Sequence, residues 1–247
     1  MLMEKPDAYG ETNGAIQLGL FFASEGQRLY GRTTTSGITN RYAITVRQPV
    51  GVAGLIVPAN TPIANIAWKV FPVLICGNSA VLKAAEDTPA TAWIFGQIAH
   101  QAGIPESVLN IIQGYGEEAG SPLVNHHDVG VISFTGSTKV GRIVQRIAGE
   151  RFARVSLELG GKNPLVVCDD ADLVNAIKWT LLSAFSNAGQ RCASGSRIII
   201  FDSIYDQFRD ILVKRTKDLK VGSGDEDDFG PVINERQLTN RDCYEKN

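Results

Sequence analysis

The stretch "GVAGLIVPANTPIANIAWKVFPVLICGNSAVLK", residues 51–83, holds two kinds of order in succession. It opens on an apolar run at 51–57, of strand length. Pro58 and Asn60 then break the run, and Pro62 starts a helical pattern over 62–76 that stops at Gly77. Proline at a first helical position and glycine just past a last one are the usual helix punctuation. A second apolar run follows at 79–83. Runs that are apolar throughout, rather than alternating, belong to strands covered on both faces. The same strand–loop–helix period continues downstream. Further strands are expected at 108–113, 129–134, 153–159 and 164–168, with helices at 88–102, 117–125 and 138–149. That order predicts an α/β fold with a Rossmann-like parallel sheet, whose ligands bind where loops leave the carboxyl ends of the strands. Upstream, residues 5–30 read as an amphipathic helix ending near Gly31, and 34–50 as extended, partly exposed arms.

Composition narrows the function classes. The 247 residues are 44% hydrophobic and 20% charged, with a net charge of −2. That length can bury a substantial core. Interspersed charges give no basic field, so a nucleic-acid partner is not expected. The longest apolar runs are too short to span a bilayer, and "MLMEKPDAYG" lacks the apolar core of a signal peptide, so no membrane association is expected. Cys76, Cys168, Cys192 and Cys243 show no C-x-x-C spacing, and His100, His126 and His127 lie elsewhere. Neither a metal site nor a disulfide framework is expected, and a reducing, cytoplasmic compartment fits.

Several loops carry residue types suited to chemistry, each with a plainer structural alternative. In "NAGQRCASGSR" (187–197), small neighbours leave Cys192 approachable, and Arg191 favours its thiolate. The alternative is an inert buried cysteine, as Cys76 looks within "FPVLICGN". In "VPANTP" (57–62), Asn60 is a neutral donor for a developing oxyanion, or a helix cap. In "VLKAAEDTP" (81–89), Lys83 and Glu86 suit ribose hydroxyls, or are a snorkelling lysine and a turn glutamate. In "FTGSTKVGR" (134–142), Ser137 and the following helix N-terminus suit a phosphate, or Ser137 is only an N-cap. "GYGEEAG" (114–120), with Gly114, Gly116 and Gly120, falls one residue short of the dinucleotide glycine pattern. In "VSLELGGK" (155–162), Glu158 interrupts an apolar strand. Facing inward it is a base with a raised pKa, and facing outward it is a solvated residue.

Taken in order, "VPANTP", "VLKAAEDTP", "FTGSTKVGR", "LELGGKNP" and "NAGQRCASGSR" resemble the aldehyde dehydrogenase superfamily. The resemblance runs from about residue 5 to about 240. It implies oxidation of an aldehyde to a carboxylic acid with NAD, NADP being the alternative. Cys192 would be the nucleophile. Asn60 and the Cys192 backbone N–H would hold the thiohemiacetal oxyanion, and Glu158 would activate the water that hydrolyses the thioester. Lys83 and Glu86 would hold the adenosine ribose and Ser137 the pyrophosphate, with Val57, Pro58, Gly116, Gly120, Gly136 and Leu159 also at the cofactor. The implied organisation is an NAD-binding domain (1–30 and 50–160), an oligomerisation arm (31–49) and part of a catalytic domain (161–247). A homo-oligomer of the full-length protein and a small aldehyde substrate follow from the same resemblance. The chain departs from the family at Ala59, where a tryptophan is usual. "RDCYEKN" (241–247) does not resemble the family's continuation, so the sequence reads as an internal fragment. Two other readings stay open: a CoA-acylating enzyme, against which Glu158 argues, and an inactive nucleotide-binding fragment.

Overall fold

The computed structural model describes residues 5–224 and 226–242; Cys243 and the stretch after it lie outside the described residues. The chain divides into two compact units, Gly10–Glu158 and Met1–Tyr9 with Leu159–Asn247.

Helix α1 spans Lys5–Glu25 and gives way to a 3-10 turn at Gly26–Arg28, so the helix expected over 5–30 is shorter. Arg28 turns back to pair with Glu25 at that end. The half-buried positions Glu11, Leu18 and Phe22, with buried Ala15, follow a helical stripe. Gly19 lets α1 approach α2 (Pro62–Ile75), because a Cβ there would lie 3.2 Å from the Phe71 ring. The expected arms form a short antiparallel hairpin, β1 (Thr33–Thr35) with β2 (Tyr42–Ile44), every residue of which is exposed.

The main sheet contains β3 (Val52–Ile56), β4 (Ser79–Lys83), β5 (Leu109–Ile112), β6 (Val129–Gly136) and β7 (Arg154–Leu159). Their spatial order is β5-β4-β3-β6-β7, and β3 pairs in parallel with both β4 and β6. The chain therefore winds outward from β3 to β5, then returns to lay β6 on the other side of β3. This Rossmann-like reversal creates a switch point between β3 and β6. Helices α2 and α3 (Pro89–Gln101) pack together, as do α4 (Ser121–Asn125) and α5 (Thr138–Glu150). Strand periodicity assigns the two pairs to opposite faces. Ala53, Leu55 and Val57 join Ile66, Val70, Ala92 and Phe95 of α2 and α3 in one core. Gly54 points the other way, where a Cβ would meet Leu123 of α4.

Two details depart from the expected elements. The helix expected at 117–125 begins as a single π-turn, Gly116–Gly120, before α4. Pro122 has no N–H to offer the Glu118 carbonyl and its ring crowds that carbonyl, which widens the turn. Cys76, expected in an apolar interior, is exposed, because α2 ends there and the chain reverses at Gly77 (φ +78°). Buried Asn78 fixes that reversal. Its Oδ1 accepts from the Val50 and Gly51 N–H groups (2.6 and 3.1 Å), and its Nδ2 donates to the Val73 carbonyl (3.1 Å).

In the second unit β8 (Asn163–Val167) pairs in parallel with β9 (Gly195–Ile200). Helices α6 (Leu173–Phe185) and α7 (Tyr205–Lys217) support this sheet through Val167, Ile177 and Phe208, and α8 spans Glu235–Asp242.

Candidate active site

The carboxyl ends of the parallel strands form one edge in the first unit. Register puts Ile112, Lys83, Ile56 and Phe134 side by side at the ends of β5, β4, β3 and β6. The loops beyond them carry most of the expected cofactor residues. Val57 is buried, and its N–H donates to the Lys83 carbonyl (3.3 Å), so Pro58 leaves directly from the sheet edge. Lys83 is 3% exposed on an interior strand, which removes the snorkelling alternative. Its ammonium meets Glu86 at 2.8 Å, so the two residues form one half-buried polar pair. Gly120 is buried, with a Cβ there lying 3.9 Å from Ile56, while a Cβ at Gly116 would meet nothing within 4 Å. Gly136 ends β6; a Cβ there would lie 2.6 Å from the tip of the Phe134 ring, so a larger residue would require that ring to move. Ser137 caps α5, its Oγ accepting from the Val140 N–H (3.2 Å). That bond uses the hydroxyl as an acceptor and leaves its proton directed elsewhere.

Asn60 is not the cap of α2. Thr61 occupies that position without a side-chain cap bond, and Asn60 Oδ1 accepts from the Thr61 N–H (3.0 Å). The α2 N-terminus instead receives a carboxylate from α1, with Glu11 Oε1 accepting from the Ala64 N–H (2.9 Å). A negative charge there suits the positive end of the helix dipole.

Of the two faces open to Glu158, the fold takes the outward one. Burial alternates along β7, and Glu158 shares the exposed face with Arg154 and Ser156 while Val155, Leu157 and Leu159 are half-buried. Sequence reasoning missed its charged neighbour. Lys69 of α2 is buried, and its Nζ donates to Ser133 Oγ on β6 at 2.7 Å. Burial pushes the Lys69 ammonium down to about 8, and the Glu158 charge opposes part of that fall. The signal was a lysine within the apolar helix "PIANIAWKVFPVLI", where an ammonium has no solvent-facing reason to sit.

In the second unit Cys192 is exposed on a turn before β9. Three consecutive left-handed residues lead into it: Asn187 (φ 52°), Ala188 (φ 53°) and Gly189 (φ 65°). Asn187 and Ala188 are both buried, and the left-handed conformation costs a residue such as Ala about 1–2 kcal/mol. Gln190 braces this segment by donating to the Asn187 carbonyl and accepting from the Ile233 N–H, each at 3.0 Å. The Ser194 N–H closes the turn on the Arg191 carbonyl (3.1 Å), and Asn163 Nδ2 donates to the Cys192 carbonyl (2.6 Å) and the Ser194 carbonyl (3.2 Å). Arg191 is committed to Asp7 at 2.8 Å. Its positive charge is thus shared with Asp7, which reduces the effect on the Cys192 sulfur expected of it.

Other chemistry-bearing groups lie apart from this edge and this turn. His126, His127 and Asp128 bring ligand-type atoms within 4.8 Å of one another, all three residues exposed. A groove of about 370 Å³ beside α3 is lined by Trp93, Gln97, His100 and Leu109, and by none of the residues above. No helix among the described residues is long and apolar enough to cross a membrane.

A model of the aldehyde dehydrogenase family matches residues 4–246. The α-ketoglutaric semialdehyde dehydrogenase of Bacillus subtilis is 39% identical over 237 residues, covering 95% of this chain and 49% of that protein. The mitochondrial benzaldehyde dehydrogenase of Antirrhinum majus is 38% identical over 232 residues, covering 94% and 42%. Among solved structures, betaine aldehyde dehydrogenase of Staphylococcus aureus in complex with NAD+ superposes with a TM-score of 0.96 at 32% identity, covering 99% of this chain and 49% of that one. The chain spans about half the length of the curated relatives it matches. Sheet order, motif order and a family match along almost the whole sequence agree: the chain belongs to the aldehyde dehydrogenase family.

Proposed function

We propose that this chain carries the nucleophile, the water-activating carboxylate and much of the NAD site of an enzyme that oxidises an aldehyde to a carboxylic acid. The observation that carries the reading is the carboxyl-end edge of the sheet, across the β3/β6 switch point. There Val57 and Pro58 follow β3, Lys83 ends β4 with Glu86 after it, Gly116 and Gly120 follow β5, and Gly136 ends β6 with Ser137 after it. Its chemistry fits a dinucleotide. A polar pair at Lys83 and Glu86 suits ribose hydroxyls, and the capped N-terminus of α5 suits a pyrophosphate. Leu159, at the end of β7, completes the cofactor set. NAD, when bound, supplies a two-electron acceptor for hydride.

The chain's own residues divide the remaining work. The Cys192 thiolate attacks the aldehyde carbonyl, and the Asn60 amide with the Cys192 backbone N–H stabilises the oxyanion. Loss of hydride leaves a thioester on Cys192. Glu158 takes a proton from the water that cleaves it, and the C–S bond breaks to release the acid and regenerate the Cys192 thiolate. Burial lowers the Lys69 ammonium to about 8 and the Glu158 charge acts on it, which supports a role for Lys69 in tuning that base. The exposed apolar side chains of the hairpin and its flank, Tyr42, Ile44 and Val46, support an oligomerisation role for 31–49. The cytoplasmic compartment remains our reading from cysteine usage.

The test is NADH formation from a panel of aldehydes, by this chain and by a hybrid in which it replaces the matching half of the Bacillus subtilis relative. Turnover by the hybrid, lost on Cys192→Ala, is expected. In parallel calorimetry NAD should bind about tenfold tighter than NADP, because Glu86 opposes a 2′-phosphate while its pairing with Lys83 reduces that repulsion. Absence of cofactor binding together with absence of NADH would overturn the reading.

A further inference from the structure

We infer that Asn163 is a positioning residue for Cys192: its side-chain amide aims the backbone on the carboxyl side of the nucleophile. The inference rests on the reading of Cys192 as the acyl acceptor.

Two peptide planes flank Cys192, and in a trans peptide the C=O and the N–H point opposite ways. Holding a carbonyl therefore aims the next residue's N–H. The carbonyl of Arg191 is held by the Ser194 N–H (3.1 Å), which aims the N–H of Cys192. The carbonyl of Cys192 is held by Asn163 Nδ2 (2.6 Å), which aims the N–H of Ala193. The φ and ψ of Cys192 are the only soft angles between those planes, so fixing both planes fixes the nucleophile's backbone. The same Asn163 nitrogen also donates to the Ser194 carbonyl (3.2 Å), tying down the exit of the turn.

The position of Asn163 explains why a side chain does this. It is the first residue of β8, opposite Gly195 of β9, and the register slips between it and Pro164. Pro164 has no N–H for the ladder. A primary amide supplies two donors where the backbone supplies none, and it reaches past Gly195 to the carbonyls just before it. The approach to Cys192 is constrained as well, by the left-handed run at 187–189 and by Gln190. A backbone held in such a conformation persists only where its surroundings over-determine it.

This geometry matters for one kind of reaction and not for another. Attack on a carbonyl generates an oxyanion, which backbone N–H groups stabilise only when aimed at it. Displacement of iodide from iodoacetamide generates no oxyanion and needs only an accessible thiolate. The full 247-residue chain is treated with p-nitrophenyl acetate. The Cys192 sulfur bonds to the carbonyl carbon, the tetrahedral oxyanion collapses, and the C–O bond breaks as p-nitrophenolate leaves with its electron pair. Separate samples are alkylated with iodoacetamide, and adducts at Cys192 and Cys168 are followed by peptide mass. Cys168 is exposed just past β8, so it reports on the same unit.

Asn163→Ala should slow acylation of Cys192 by roughly 10–100-fold, the scale on which misaimed catalytic groups cost rate. Alkylation of Cys192 should change by less than about threefold, and that of Cys168 not at all. Asn163→Ser, which keeps one donor, should recover part of the acylation rate. Acylation within about twofold of the unsubstituted chain in both variants overturns the inference. So does an equal fall in acylation and alkylation, with or without Cys168, since that is loss of access or of fold. If Cys192 of the unsubstituted chain is alkylated but never acylated, its reading as acyl acceptor fails first and the inference falls with it.

Discussion

At Cys192 and Glu158 the proposed steps are ordered in time, and substitutions separate them. In the hybrid enzyme Cys192→Ala should abolish NADH formation entirely, since Ser194 and Ser196 have no candidate base close in sequence and an unactivated hydroxyl is a far poorer nucleophile. Glu158→Gln should act after hydride loss. One equivalent of NADH per site is expected as a burst, followed by slow turnover, with acyl mass retained on the peptide that carries Cys192. Normal turnover by Glu158→Gln would leave its solvent-facing position on β7 as its whole role. Lys69 yields a prediction about stability. Its ordinary value of 10.5 falls to about 8 in the fold. Below pH 8 both folded and unfolded chains carry the proton, and the cost of burying the charge, about 3 kcal/mol, is fully present. Between pH 8 and 10.5 the unfolded chain holds the proton more tightly, so this cost is relieved as pH rises. Lys69→Met should therefore be more stable than the parent at pH 7, and the gap should close towards pH 10.5. Urea midpoints for both proteins at pH 7 and pH 10 decide it; a gap independent of pH would mean that Lys69 is not charged at a cost.

Among the elements, the turn from α2 into β4 depends on one side chain. Asn78 makes three hydrogen bonds from a buried position and joins the start of β3 to the end of α2. Asn78→Ala would leave the Val50 and Gly51 N–H groups without that acceptor. The expected loss is about 2–4 kcal/mol, read as a fall in the urea midpoint at unchanged slope. The element boundaries show how much was legible. Prolines at 62 and 89 and glycines at 77 and 103 bracket α2 and α3, and the strands at 79–83 and 129–136 follow their apolar runs closely. The π-turn at Gly116–Gly120 was hidden, because a proline inside a helical pattern marks a break without specifying its geometry. The exposure of Cys76 was hidden for a related reason: apolar neighbours in sequence do not tell which side of a helix end faces water.

Across the molecule, the two-stranded sheet of β8 and β9 is packed on one face through Leu165, Val167, Ile198 and Ile200. Its other face presents Val166 and Ile199, each more than half exposed. Parallel sheets are ordinarily covered on both sides, and apolar faces left open promote association. The 247-residue chain should self-associate with rising concentration in sedimentation velocity. The pair Val166→Lys and Ile199→Lys should reduce that association without altering the urea midpoint by more than about 1 kcal/mol, as both side chains point to water. Unchanged association in the double variant would move the contact elsewhere, with the exposed hairpin side chains Tyr42 and Ile44 as the next candidates.

Residue type and order along the chain were enough for the parallel sheet, for the helices between its first strands and for the loops that carry chemistry. Those features follow from local rules: apolar runs need cover on both faces, proline and glycine punctuate helices, and loops at strand ends are where ligands approach. Packing settled what local rules leave open. Period-two alternation allowed Glu158 either face, and the half-burial of Val155, Leu157 and Leu159 turned it outward. Asn60 was open to a capping role, and the fold instead puts Thr61 at the cap position without a side-chain bond and brings Glu11 across from α1. Lys69 beside Ser133, Arg191 beside Asp7 and Asn163 beside Cys192 are pairs 64, 184 and 29 residues apart. No local pattern encodes such pairs, because they arise only when separate segments close on one another and each buried or strained group must find a partner.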